Sequence, residues 1–501
     1  MLGVIDIQSD RLQKGAASIQ KALEINPQNA ETHSNLGYCH SLLGNIKKAI
    51  AHYRQAIALN PNFVDAHKNL GLALLTLGDL RQGFIEYEWR WQSTAFQQGN
   101  PLPPFSLWDG EDLLGRTLLV YCEQGLGDAI QFSRYIPLLL ARGGNIVIEC
   151  PGSLARLFSE IEGINIAKEN TPMRRGDLCM PLMSLPRVLD ETLETIPARV
   201  PYLSVPSQAK ADLDLDIFNR ADRFKVGIVW ASKVDHATSR DRSCPIAKLK
   251  PLLDIPEISF YSLQKEVSKE EREIFDRLLQ QYPNNLHDLS DRLNDFADTA
   301  AIVEHLDLVI SVDTAVAHLA GALGKPTWVM LPFVSDWRWM LDREDSPWYP
   351  TMRLFRQQRH GDWDTVMARL VEALGALPAV NRALSSKKQK LVTPPLQSKT
   401  EVGIAWSIGA PIGWGIFGLN LALQILKTKQ FEPCLLVEPF RGEGFFNPLQ
   451  QKLLDPAIAK QQEIQQIVAL NPGRPIYIDI PILHALDNLT LKSKQTQIRG
   501  K

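Results

Sequence analysis

The sequence predicts a short α-helical repeat array, then two parallel-sheet α/β halves, then the beginning of a third such half. Three observations carry this. Asn26-Pro27 recurs 34 residues later as Asn60-Pro61. Beyond residue 116, short continuous apolar runs alternate with helical stretches, as buried parallel strands and their crossovers do. Glycine-bearing turns sit where strands pass into helices. With 501 residues the chain has room for about three or four domains at roughly 100–200 residues each.

The repeats occupy residues 1–95. Between the two Asn-Pro marks the positions echo: Ala30, His33, Leu36, Gly37, Gly44 and Tyr53 recur as Val64, His67, Leu70, Gly71, Gly78 and Tyr87. This pattern resembles the tetratricopeptide repeat. Gly37 and Gly71 let paired helices approach closely, Ala49 and Ala56 are small residues of a second helix, and Pro61 closes the unit. Residues 11–25 read as the second helix of an earlier repeat. About two and a half repeats fall short of the ~3 that usually stand alone, so the stack is expected to lean on its neighbour. The histidines and tyrosines of the pattern read as repeat packing, and the array as a docking surface for a protein or peptide.

Residues 101–220 form the first α/β half and 221–378 the second. The first has a strand at 117–122 (TLLVYC), the turn Glu123-Gln124-Gly125-Leu126-Gly127-Asp128, a helix over 129–142 and a strand at 145–150 (NIVIEC). The second has strands at 225–230, 258–263, 306–312 and 327–331, with a helix over 315–323. Ligands on such sheets bind beyond the carboxyl ends of the strands.

Two turns there can bear chemistry. Gly125 and Gly127 allow a close backbone approach and set Asp128 at a helix start, where it either serves the site or simply favours the helix dipole. Asp313-Thr314-Ala315-Val316-Ala317-His318 follows a buried strand and opens a helix. Its free N–H groups and the Thr314 hydroxyl suit a diphosphate, with His318 one turn on along the same face as Thr314. Capping and core packing would use the same residues, and spacing does not separate the two readings.

Residues 379–400 read as a polar, proline-bearing linker, and 401–501 as an incomplete half-domain: a strand at 402–406, a glycine loop, a helix and a strand at 434–437. The uncharged stretch 402–426 is long enough to span a bilayer, but its glycines cluster in the middle and favour strand, loop and helix. A hydrophobic fraction of 45% excludes wholesale disorder, and 54 basic against 56 acidic residues give no basic field for nucleic acid. Six scattered cysteines without CxxC spacing indicate neither zinc nor a disulfide framework, and no signal peptide opens the chain. A cytoplasmic protein is expected.

The Glu123–Asp128 turn and the Asp313–His318 motif, with Gly321-Ala322-Leu323-Gly324-Lys325-Pro326 after it, together resemble the heptosyltransferase-like glycosyltransferases of family 9. More narrowly, the chain is similar to bacterial tetratricopeptide-repeat glycosyltransferases over about residues 11–375. The resemblance implies a GT-B fold of two Rossmann-like halves, with the acceptor on the first and a nucleotide-sugar donor on the second. It implies no metal and no cofactor besides the donor. Asp128 matches the proposed general base. Asp313, Thr314 and His318 match the donor-binding helix start, and Lys233, Arg240 and Arg242 lie where relatives place a basic residue on the donor phosphates. Trp337, Arg338 and Trp339 are set either to line the donor pocket or to pack. Heptosyltransferases carry Thr-Gly-Pro-Met-His where this chain has Thr-Ala-Val-Ala-His, so the donor sugar stays unassigned, as does a glycan, lipid or protein acceptor. The 401–501 segment resembles the acceptor half of a second glycosyltransferase. The expected function is glycosyl transfer, the alternatives a silent repeat scaffold or a nucleotide-sugar epimerase.

Overall fold

The computed structural model describes residues 9–101, 105–167, 178–213, 215–218, 223–232, 242–378 and 380, with five short strands between 400 and 500. The chain divides into a unit of residues 1–389 and a smaller one of 390–501.

The first unit opens with helices Ser9–Ile25, Ala30–Leu42, Ile46–Leu59, Val64–Thr76 and Leu80–Tyr87. The close approaches expected of the repeat glycines are present. A Cβ on Gly37 would stand 2.7 Å from Tyr53 Cε1, and one on Gly71 would stand 2.7 Å from the Tyr87 backbone nitrogen. His33 and His67 bond the carbonyls of Pro27 and Pro61 through Nε2 at 3.1 and 3.0 Å, which ties each helix to its preceding turn. Their Nδ1 atoms meet different partners at equivalent positions, His52 at 3.2 Å and Glu86 at 2.5 Å.

Eleven strands follow: β1 (Ser106–Leu107), β2 (Thr117–Tyr121), β3 (Asn145–Glu149), β4 (Ile164–Ile166), β5 (Leu178–Pro181), β6 (Phe224–Val229), β7 (Ile258–Ser262), β8 (Leu286–Asp288), β9 (Leu308–Val312), β10 (Thr327–Leu331) and β11 (Met352–Arg356). They form two sheets, ordered β1-β5-β2-β3-β4 and β11-β10-β9-β6-β7-β8, parallel throughout. β9 and β10 are buried at every residue, which is why they read as unbroken apolar runs. In each sheet the chain order reverses beside the first long strand, between β2 and β5 and between β6 and β9. Such switch points open the crevice in which α/β sheets hold ligands, and both motifs sit there.

The helix expected over 129–142 starts earlier and is broken. It runs as Leu126–Phe132, a 3-10 turn Ser133–Tyr135, and Ile136–Leu140, with Pro137 denying the last piece a backbone donor. Asp128 therefore lies inside the first turn rather than ahead of it. The helix after β9 spans Ala315–Ala322 and stops at Gly324, whose φ of +71° is the left-handed conformation glycine tolerates best.

One hydrophobic core joins the parts of this unit. Leu75, Leu80 and Phe84 of the repeats, Phe132 and Ile136 of the first half, and Leu319, Trp337 and Trp348 of the second all belong to it. The short repeat array leans on both halves, as its length requires.

In the second unit Thr400–Ile404 pairs in parallel with Phe431–Leu435 and Ile480–Ile482, and Ile476–Ile478 pairs with Ile498–Gly500. The first two strands begin a few residues before the expected 402 and 434. The rest of the 401–501 reading, the glycine loop and its helix included, lies outside the described residues, as does nearly all of the 379–400 linker. Among the described residues no helix is long and apolar enough to cross a membrane.

Candidate functional site

The two motifs meet. The helix Leu126–Phe132 packs on the helix Ala315–Ala322, and the contact passes through Gly127. A Cβ there would stand 2.9 Å from His318 Cδ2 and 3.4 Å from Ala315 Cα, so the helices reach this spacing because residue 127 has no side chain. Each motif is the turn leaving a switch-point strand, and the two halves bring the starts of both helices together.

Asp128 is held from two sides. Its Oδ2 accepts the Gly125 N–H at 2.9 Å, the helix-start bond the sequence allowed. Its Oδ1 pairs with Arg338 Nη2, across the two halves. Arg338 is itself buried and fully engaged: Nη1 donates to Asp336 Oδ1 at 2.8 Å and Nε to Gln131 Oε1 at 2.7 Å, while its guanidinium lies 4.4 Å from the Trp337 ring centre. Burial raises the Asp128 carboxyl above its ordinary range, and the Arg338 charge offsets part of that rise.

Thr314 occupies the N-cap position of its helix without a side-chain capping bond. Its hydroxyl instead meets Ser311 Oγ at 2.9 Å. Asp313 is buried and pushed up to about 6, by burial first and then by the neighbouring Asp336 charge, against the pull of Arg242. Arg242 Nη1 stands 3.8 Å from Asp313 Oδ2. His318 stacks on Trp339 with ring centres 5.3 Å apart and shares a 2.9 Å hydrogen bond with Tyr349 Oη. Burial, with the Arg338 charge second, lowers it to about 3, so it is a neutral imidazole near pH 7.

Asp128, Gly125, Gly127, Arg242, Asp313, Thr314 and His318 are thus gathered around one junction. Lys233 and Arg240 lie outside the described residues. Of residues 337–339, the two tryptophans pack and the arginine forms an ion pair. Trp337 packs among Phe84, Phe132 and Trp348, and Trp339 backs His318, while Arg338 is the counter-charge of Asp128. Residue spacing gave no sign of that pairing, because 210 positions separate its partners.

The repeats also enter the site. Tyr87, at the end of the last repeat helix, hydrogen-bonds the Gln124 side chain at 3.2–3.3 Å. Arg90 is buried behind it, donating to Glu123 Oε1 at 3.1 Å and Ser184 Oγ at 2.7 Å. Glu123, at the end of β2, is pushed up to about 7 by burial despite Arg90. A crevice of about 930 Å3 opens at the carboxyl ends of β2, β3 and β4, with Tyr121, Glu123, Glu149 and Arg156 on its wall. Cys122 and Cys150, unrelated by spacing, are neighbours across β2 and β3 and line the same crevice. A smaller cavity of about 210 Å3 lies between the repeats, at Tyr38, Asn69 and Thr76, and Phe333, Asp336 and Trp337. Among the described residues no group of three His, Cys, Asp or Glu side chains could hold a metal ion.

A family model for glycosyltransferase family 9 (heptosyltransferase) matches residues 260–329, and tetratricopeptide-repeat models match 18–51 and 41–78. Protein FlbA of Caulobacter vibrioides is 28% identical over 316 residues, 58% of this chain and 52% of the relative, so the chain spans about half that protein's length. Among solved structures, an E. coli ADP-heptose LPS heptosyltransferase II is 13% identical over 54% of this chain and 99% of its own, at a TM-score of 0.35. A family 9 glycosyltransferase of Veillonella parvula is 9% identical over 55% and 100%, at 0.41. A Thermobaculum terrenum O-GlcNAc transferase mutant is 15% identical over 90% and 69%, at 0.21. The matched segments thus pair tetratricopeptide-repeat models at 18–78 with a family 9 glycosyltransferase model at 260–329.

Proposed function

We propose that the protein transfers a sugar from a nucleotide-sugar to an acceptor hydroxyl. The observation that carries this reading is the junction at Gly127 and His318, where Asp128 from one half comes beside the Asp313–Thr314 helix start from the other. Transfer needs a base for the acceptor proton and fixed positive charge for the departing diphosphate. Asp128 is assigned the first role. Both its oxygens are engaged, yet each keeps a second lone pair, and Arg338 fixes the carboxylate in place. The second role falls to Arg242 and to the free N–H groups after Thr314, with no metal called for in this reading. A neutral His318 adds no charge there and shapes the wall instead.

We assign the repeats the docking of a protein partner, for which the cavity beside residues 333–337 gives a surface adjoining the loop that holds Asp128. We place the protein in the cytoplasm on its scattered cysteines, free where they are described.

Thermal-shift measurement against UDP-, GDP- and ADP-linked sugars tests the reading. At least one of them stabilises the protein, and Thr314→Ala combined with His318→Ala erases that shift. A shift that survives the double change puts the donor elsewhere.

A further inference from the structure

The cavity between the repeats and residues 333–337 adjoins a groove along the repeats, and Tyr38 and Asn69 lie on both walls. The groove, of about 520 Å3, carries Glu31 and Asp65, which are one repeat position met twice, 34 residues apart. Lys68 pairs with Asp65 at 2.8 Å, yet among the described residues neither wall has a lysine or arginine on it. A carboxylate at the same place in successive repeats favours a basic partner.

The cavity itself, at about 210 Å3, is below the ~300–1,000 Å3 of small-molecule sites and fits a single side chain. Tyr38 and Phe333 on its wall are 43% and 37% exposed, so a ligand can reach both rings. Asp336 is the charged residue of that wall, its side chain 29% exposed. Arg338 bonds its Oδ1 twice, from the backbone N–H at 3.1 Å and from Nη1 at 2.8 Å, which leaves Oδ2 for a second cation. The same guanidinium pairs with Asp128, so it serves two carboxylates. Burial acts to raise the Asp336 carboxyl, but Arg338 outweighs it and the group is a carboxylate near pH 7. An aromatic wall with one carboxylate suits arginine, whose planar guanidinium stacks on rings and pairs with carboxylates.

We propose that the repeats dock a basic segment of a protein partner and that one arginine of it enters this cavity against Asp336. The docked protein rests on the role given to the repeats above, whereas the preference for a guanidinium rests on the cavity alone. Because Asp336 and Asp128 share Arg338, the partner's charge lies one ion pair away from the assigned base.

Ligand-observed NMR on the full chain tests this with blocked glycine-serine peptides that carry two spaced arginines, glutamines or glutamates, and with N-acetylarginine methylamide. The arginine peptide should bind about tenfold more tightly than the glutamine peptide, and the glutamate peptide should not bind. Asp336→Asn should remove about that tenfold, and so should Thr76→Phe, which fills the cavity without touching the ion pair. Circular dichroism with melting checks that both variants fold. Glutamine or glutamate peptides that bind as well as the arginine peptide, or arginine binding that either variant leaves unmoved, overturn the proposal. N-acetylarginine methylamide that binds as tightly as the peptide, and is weakened by Asp336→Asn, keeps the cavity and removes the docked protein. Peptide binding that ignores both variants keeps docking on the repeats and sinks the cavity.

Discussion

Asp128→Asn separates a base from a helix-start carboxylate. Asparagine keeps the shape but has one oxygen for two donors, so either the Gly125 N–H or Arg338 loses its acceptor and faces the amide NH2, and it cannot take a proton. Stranding one member of a buried ion pair costs about 3–5 kcal/mol. Here the Asp128 and Arg338 side chains are 22% and 8% exposed, and Arg338 retains Asp336 at 2.8 Å and Gln131 at 2.7 Å. The loss of stability should accordingly be about 1–3 kcal/mol, nearer that of a weakened charged hydrogen bond. Turnover should fall ~10²–10⁴-fold if the carboxylate is the base. Because burial raises the Asp128 carboxyl, the wild-type rate should already decline at pH values above those of an ordinary aspartate, as protonation removes the base. The assay is release of nucleotide from the stabilising nucleotide-sugar, measured beside melting and the donor-induced shift. A protein that melts a few degrees lower but turns over almost normally would refute the assignment, leaving Asp128 as the tether of Arg338.

Gly127→Ala sets a methyl 2.9 Å from a His318 ring that Tyr349 and Trp339 hold in place. It should cost about 1–3 kcal/mol and abolish the nucleotide-sugar shift before it unfolds the chain. Glu123, lifted from 4.5 to about 7, keeps its proton in the folded state where the unfolded chain has lost it. Stability contributed by the protonated form should therefore decline as pH rises from about 4.5 to 7, by roughly 3 kcal/mol. Denaturant unfolding of wild type and Glu123→Gln across that range isolates the effect, and parallel pH profiles would mean that Arg90 keeps Glu123 ionised. A chain ending at residue 378 should keep the donor-induced shift, since the motifs lie in the first unit; loss of the shift would give 379–501 a part in the site.

The repeats and the two parallel sheets were legible because local signals determine them: a 34-residue echo, continuous apolar runs and glycine turns. The placement of Asp128, Thr314 and His318 in the first turns of helices after switch-point strands was legible, because each motif follows a continuous apolar run. Arg338, Arg90 and the crevice were not. Each depends on partners 33 to 210 positions away, brought together by packing of whole halves, and an arginine destined for a buried pair looks in sequence like one destined for solvent. Edge strands β1, β4 and β8 also escaped, being two or three residues long and too short to show a period.

The core that runs from Phe84 through Phe132 to Trp348 has a consequence for how the chain comes apart. An adaptor strung ahead of an enzyme can melt, be cut away or be exchanged for another while the enzyme stays folded. Here the last repeat helix supplies a wall of the same apolar interior that fixes both halves, so removing it exposes Trp337 and uncouples Arg90 from Glu123. Heating should show no early step belonging to residues 64–87, and amide exchange there should be as slow as in β2 and β9.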